Sequence, residues 1–111
     1  MHISQYKVGA ITVIRPGGPL VKADAAALTG AVRRGVHESL GRLILDLEAV
    51  PFVDSAGLES LMDCADELSS LGLTLRVCAT SPTVREALAV TGCDQGLEFH
   101  ADTNAAARSF L

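Results

Sequence analysis

Residues 53–58 read Val53-Asp54-Ser55-Ala56-Gly57-Leu58 and join a strand-like segment to a helical one. The apolar run 43–47 lies upstream and is continued by residues 50–53, which together have the composition of a central strand. Downstream, apolar residues recur at helical spacing up to a glycine that can end a helix: Leu58, Leu61, Met62, Ala65, Leu68, Leu71 and Gly72. Ser55 is therefore predicted to open a helix just beyond the carboxyl end of a strand, where α/β proteins collect functional groups.

The segments before this junction predict a hairpin followed by a helix. Residues 3–8 and 11–14 alternate or are β-branched, which is typical of two antiparallel strands. Residues 15–19 read Arg-Pro-Gly-Gly-Pro and predict a loop. A helix is expected from Asp24, as its N-cap, to about Ser39, with Arg33 and Arg34 on a solvated face away from its apolar stripe.

The segments after the junction continue the alternation of strand and helix. Residues 73–79 predict a strand, Ser81 with Pro82 predicts a helix start, and Gly92 predicts its end. A short strand at 97–99 and a last helix from Asp102 complete the pattern. We therefore expect one α/β domain over residues 1–111, with a mixed sheet of about four to five strands packed with about four helices.

The composition argues against several classes of function. A hydrophobic content of 49% without a long uninterrupted apolar run predicts a globular, cytoplasmic protein without direct membrane insertion, and no signal peptide or lipidation motif is recognisable. The net charge of −4 argues against nucleic acid as a ligand. The three cysteines have no metal, disulfide or catalytic spacing, so Cys64 and Cys78 are expected in the core and no cofactor is expected.

Physical chemistry alone leaves two interpretations of Ser55. Serine is an ordinary capping residue, so Ser55 can be a plain helix cap. The free N–H groups and dipole of a helix start also tolerate an anion, so a phosphate on Ser55 is compatible with the helix. Such a dianion would weaken docking of a partner that offers no arginine to it. Gly57 indicates either the close approach of another chain segment or tight packing under the first strand.

The run 53–58, with the strand before it and the Ser81-Pro82 helix start after it, resembles the signature of the STAS family, the anti-sigma factor antagonists and their relatives. The resemblance covers the whole chain and implies the STAS fold. It further implies that Ser55 is phosphorylated by a partner that is both serine kinase and anti-sigma factor, and that a phosphatase resets this switch. The chain itself would catalyse nothing. The implied partner-binding residues are Asp54, Ser55, Ala56, Gly57, Leu58, Asp24 and Glu59.

The sequence departs from the family at Val21, where an acidic residue is common, and Asp24 is the nearest candidate to replace it. The resemblance also leaves a second function open, since stand-alone STAS proteins occur as cytoplasmic subunits of lipid-transport ABC complexes. A homodimer stays possible. The acidic residues of the helix after Ser55 form either a solvated face or a docking surface for a basic partner, and they show no metal-binding pattern: Glu59, Asp63, Asp66 and Glu67.

Overall fold

The fold is a five-stranded sheet with four helices, seen in a computed structural model that describes residues 1–111. The strands are β1 (His2–Val8), β2 (Ile11–Gly17), β3 (Leu43–Asp46), β4 (Leu75–Cys78) and β5 (Leu97–His100). The helices are α1 (Ala25–Ser39), α2 (Ser55–Ser70), α3 (Pro82–Thr91) and α4 (Thr103–Arg108), and a 3-10 turn at Lys22–Asp24 precedes α1. The predicted α/β fold with a mixed sheet is confirmed.

The strands lie in the sheet in the order in which they occur in the chain. β1 and β2 form an antiparallel hairpin that pairs His2 with Gly17 at its open end. Each later strand is parallel to its predecessor, and α1, α2 and α3 supply the crossovers. Because parallel strands point the same way, the carboxyl ends of β2 and β3 meet at one edge of the sheet, where the loops that enter α1 and α2 begin.

The two faces of the sheet are covered unequally. The main core lies between one face and the three crossover helices, and it includes Leu45, Val77 and Leu28. A smaller cluster on the opposite face packs Val13, Ile44 and Cys78 against Ala106 of α4. Neighbouring residues of a strand point to opposite faces, so covering both faces explains the unbroken apolar run of β3.

The loop predicted over residues 15–19 is wrong in its first part, because β2 continues to Gly17. Ile3 of β1 pairs with Pro16, whereas β3 pairs with β2 only from Thr12 to Ile14. Beyond Ile14 the strand therefore has a neighbour on one side only. A proline, which cannot donate a backbone hydrogen bond, is tolerated in such an edge position.

The strand predicted to continue through residues 50–53 is also absent. The Asp46 side chain accepts a hydrogen bond from the backbone N–H of Glu48 at 3.0 Å, and Val50 N–H donates to the Leu47 carbonyl at 3.0 Å, so the chain turns directly after β3. Only an isolated parallel bridge between Val53 and Leu20 remains of the expected strand. This bridge ties the loop before α2 to the loop after β2.

Most predicted helix boundaries are confirmed. Ser81 caps α3 by accepting the Val84 N–H, and Gly72 and Gly92 adopt left-handed conformations, with φ of +75° and +74°, at the ends of α2 and α3. The strand expected at 73–79 is shorter, because Leu73 N–H donates to the Leu68 carbonyl and so belongs to the end of α2. None of the four helices combines the length and the apolar character needed to cross a membrane.

Candidate functional site

Asp54 organises the start of α2. Its Oδ1 accepts the backbone N–H of Gly57 at 2.7 Å, which is the bond of an N-cap, and its Oδ2 accepts the backbone N–H of Lys22 at 3.0 Å. One carboxylate therefore caps the helix and holds the 3-10 turn after β2. The interpretation of Ser55 as a plain cap is wrong, because Asp54 occupies that position and Ser55 is the first residue of the helix.

Ser55 itself is exposed. Its hydroxyl takes no part in the hydrogen bonds of this site, which involve Asp54, Gly57, Lys22 and Ser60. As the first helical residue it lies at the positive end of the α2 dipole, where N–H groups of the first turn lack helical partners. The Ser55 hydroxyl is therefore free to react. A negative charge on it would be favoured by the helix dipole and opposed by the adjacent Asp54 carboxylate.

Gly57 is required by the close approach of the loop after β2. A Cβ atom on this residue would overlap the backbone carbonyl oxygen of Leu20 and lie 3.2 Å from its Cγ. Two backbone hydrogen bonds fix that loop, from Leu20 N–H to the Phe52 carbonyl at 3.1 Å and from Asp54 N–H to the Leu20 carbonyl at 3.2 Å. The predicted approach of another segment is confirmed, and the segment is the β2 loop rather than the first strand.

The structure brings together most of the predicted site residues. Gly57 is buried, Ala56 and Leu58 are half-buried, and Glu59 is exposed one turn after Ser55. Asp24 behaves differently: it makes no side-chain capping bond to α1, and its carboxylate lies 3.3 Å from the amino group of Met1. The contact between the β2 loop and the Asp54 carboxylate is made instead by Lys22, two residues earlier.

Lys22 was missed in the sequence because its contact with Asp54 uses the backbone N–H, which no residue type reveals. Lys22 lines a groove between the first turns of α1 and α2 together with Ala26, Ala56 and Glu59. Arg33 and Asp63 line the same groove further along. The site therefore contains both signs of charge, in contrast to the purely acidic pattern of α2.

The acidic residues of α2 differ in the contacts that they make. Glu67 accepts the Arg33 Nε–H of α1 at 2.9 Å, so this pair links the two helices. The Arg33 side chain is 61% exposed, so its expected place on a solvated face is confirmed. Glu59 and Asp63 line the groove and make no ion pair. The part of the acidic stripe nearest Ser55 is therefore available to a partner.

Apolar side chains flank Ser55 on the surface. Phe52, three residues before it, is 49% exposed, and Met62, seven residues after it on α2, is 42% exposed. Leu58 lies between Ser55 and Met62 at helical spacing, so these residues share one face of α2. Large exposed apolar side chains around a central polar group are typical of protein-binding surfaces. Met62 was predicted to lie in the apolar stripe of α2, and no surface role was predicted for Phe52.

The cysteines lie away from this site and are all free and buried. Desolvation by burial raises the pKa of Cys64 and of Cys78 to about 11, so both stay protonated thiols near neutral pH. Their expected place in the core is confirmed. No cluster of three or more His, Cys, Asp or Glu side chains in the chain could hold a metal ion.

Comparisons with known proteins match most of the chain. The family model described as STAS domain matches residues 2–106. BtrV of Bordetella bronchiseptica, named as an anti-sigma factor antagonist, is 26% identical over 92 residues, which are 83% of this chain and 79% of BtrV. A Thermotoga maritima protein with the same designation superposes with a TM-score of 0.85 at 18% identity, over 96% of this chain and 92% of that one.

A further solved structure is the anti-sigma factor antagonist SpoIIAA in its unphosphorylated form. It superposes with a TM-score of 0.73 at 19% identity, over 98% of this chain and 96% of SpoIIAA. At these identities the superpositions establish a shared fold.

Proposed function

This chain belongs to the STAS domain family, and on that premise we propose that it is an anti-sigma factor antagonist-like regulatory protein switched by phosphorylation of Ser55. Its partner is a protein that combines the roles of serine kinase and anti-sigma factor. The unphosphorylated chain binds this partner and so frees a sigma factor, and a phosphatase restores the binding form. The kinase supplies the ATP site, and the chain itself contributes a surface.

This proposal rests on one observation: the Ser55 hydroxyl is exposed and does not cap the helix. Asp54 caps α2, so the Ser55 Oγ has no hydrogen-bond partner in the site and is open to a kinase. The name of the solved SpoIIAA structure, in its unphosphorylated form, implies that this fold also exists phosphorylated in that protein. Similarity to BtrV, named as an anti-sigma factor antagonist, supports the same class of partner.

The switch follows from the surface around Ser55. Phe52 and Met62 are exposed apolar side chains, and their burial by a partner would stabilise the complex. Phosphorylation places roughly −1.5 to −2 charges in the middle of that contact, and burying such a charge is costly unless the partner neutralises it. The partner surface for the unphosphorylated form is therefore the set of residues Asp54, Ser55, Ala56, Leu58 and Glu59, together with Phe52 and Met62. Gly57 is buried and supports this surface by holding α2 against the loop after β2.

The proposal is tested by phosphorylation in vitro. The tagged chain is used to isolate its native partners, and the kinase recovered with it is incubated with the chain and ATP. Intact mass is expected to increase by one phosphate for the wild type and for Ser69→Ala, which removes another exposed serine of α2, but not for Ser55→Ala. Equal phosphate incorporation into Ser55→Ala would contradict the proposal.

The same isolation examines the second function left open by the sequence. Recovery of an ATPase together with a permease, with Ser55→Asp binding both as well as the wild type does, would favour a subunit of a lipid-transport complex. Loss of the kinase partner in Ser55→Asp would favour the phosphorylation switch. The oligomeric state follows from light scattering on the isolated chain.

A further inference from the structure

We propose that Lys22 is the internal counter-ion of a phosphate on Ser55, so that modification fastens the 3-10 turn after β2 to the start of α2. This inference rests on the proposed function, since it concerns the regulation of the same site. It assigns to Lys22 a role that only the modified form requires.

The first argument is position. The backbone N–H of Lys22 lies 3.0 Å from the Asp54 Oδ2, one residue before Ser55, so the two segments are already joined at this point. Lys22 is exposed and lines a groove that is also lined by Ala56, the residue after Ser55, and by Glu59, one turn further along α2. Because the Lys22 backbone is held beside Asp54, its flexible four-carbon side chain can bring the ammonium group to a phosphate on the next residue, Ser55.

The second argument is charge. Asp54, Glu59 and Asp63 are the acidic groups at and along the groove, and Arg33 is engaged with Glu67. Lys22 makes no ion pair and is therefore the cation left to neutralise a new anion. The Asp54 carboxylate is already compensated by two backbone N–H groups, so it competes weakly for the ammonium group.

The consequence for the unmodified chain is small. Without a phosphate, the Lys22 ammonium group faces solvent and its removal changes no ion pair or side-chain hydrogen bond. With a phosphate, a cation nearby stabilises the dianion over the monoanion and lowers the pH at which the phosphate takes up its last proton.

The test is a phosphorus-31 NMR titration of the full chain with phosphoserine incorporated at position 55 during translation. Lys22→Gln is expected to raise the midpoint of the phosphate titration by about half a pH unit, the size of an exposed ion pair. Lys22→Arg keeps the positive charge and should retain the wild-type midpoint. The difference between the wild type and Lys22→Gln should disappear in about 1 M salt, because exposed charges are then screened.

The matched control is Arg34→Gln, which removes the same charge from an exposed position of α1 that does not line the groove. It should leave the midpoint where it is in the wild type. Equal midpoints for Lys22→Gln and wild type, or equal shifts for Lys22→Gln and Arg34→Gln, would overturn the inference. Since the phosphoserine is built in without a kinase, this result is independent of whether a kinase modifies Ser55.

Discussion

Gly57 is the residue at which the site tolerates least change. A Cβ atom there would overlap the Leu20 carbonyl oxygen, which belongs to backbone held by its own hydrogen bonds. We expect Gly57→Ala to lower the free energy of unfolding by about 1–3 kcal/mol, despite the better helix propensity of alanine. Urea denaturation followed by circular dichroism measures this loss.

Gly30 of α1 provides the control for Gly57. A Cβ atom on Gly30 would meet only a guanidinium nitrogen of Arg34, at 3.4 Å. Gly30→Ala should therefore stabilise the protein by about 0.5–1 kcal/mol, the ordinary gain in a helix. A similar loss of stability in both variants would show that the Leu20 contact is not what makes Gly57 necessary.

The buried thiols predict a loss of stability at alkaline pH. Burial raises the pKa of Cys64 and Cys78 from 9.0 to about 11, so the unfolded chain releases these protons at lower pH than the folded one. The unfolded state is then favoured as pH increases, and this contribution to stability is complete below about pH 9 and lost toward pH 11.

Denaturation at several pH values measures this effect, and Cys64→Ala gives the comparison. Every other ionisable group is common to both proteins. The stability of the variant should therefore fall less steeply than that of the wild type between about pH 9 and pH 11. Parallel profiles would contradict the contribution of the Cys64 thiol.

Among the elements, α1 and α2 are linked at the surface by Arg33 and Glu67. The side chains are 61% and 37% exposed, so solvent screens their attraction. A double-mutant cycle with Arg33→Gln and Glu67→Gln should give a coupling energy of about 0.2–1 kcal/mol in low salt, and less in about 1 M salt. A coupling well above this range would mean that the pair is shielded from water.

The start of α2 shows what a single sequence reveals about an element and what it conceals. The apolar spacing from Leu58 onward predicted the helix, and the Asp54-Ser55 pair predicted its beginning. The choice of cap could not be predicted, because serine and aspartate are equally good caps. In the structure, the Asp54 carboxylate caps the helix while it also accepts the backbone N–H of Lys22, a contact that the sequence does not reveal.

The errors in the strands have a common origin. Pro16 and Gly17 are unfavourable in most strands, yet β2 includes them because it has lost its second neighbour by that point. Residues 50–53 are favourable in composition, but the chain has already turned after Asp46. In both cases contacts outside the segment decide the outcome: the neighbouring strands for β2, and the Asp46 hydrogen bond for residues 50–53. The composition of a single segment contains no information about such contacts.

For the molecule as a whole, the alternation of strands and helices in the sequence was enough to predict the fold class. It was not enough to predict which helices cover each face of the sheet. Three helices cover one face, whereas α4, with six residues, is the helix packed on the other. The closely spaced Ala105, Ala106 and Ala107 indicated a helix in the sequence without indicating the surface it covers. Only the packed structure assigns Ala106 to the face that contains Val13 and Ile44.

We expect Ala106→Asp to be strongly destabilising. Ala106 is fully buried, and a carboxylate there would have no partner in a cluster of Val13, Ile44 and Cys78. The cost of such an uncompensated buried charge is about 3–5 kcal/mol. Asn104→Asp adds the same charge at an exposed position of α4 and should change stability by less than about 0.5 kcal/mol. Thermal unfolding of the two variants compares them directly.

The sequential order of the strands has a consequence for synthesis. Because each strand pairs with the one made just before it, no strand has to be inserted between two that are already paired. The first loop, between β1 and β2, is a short turn, and each later loop contains one crossover helix and its connections, so the entropy lost per step stays moderate. A nascent chain can therefore extend the sheet from β1 toward β5 as it leaves the ribosome, without dismantling a pairing that it has already formed.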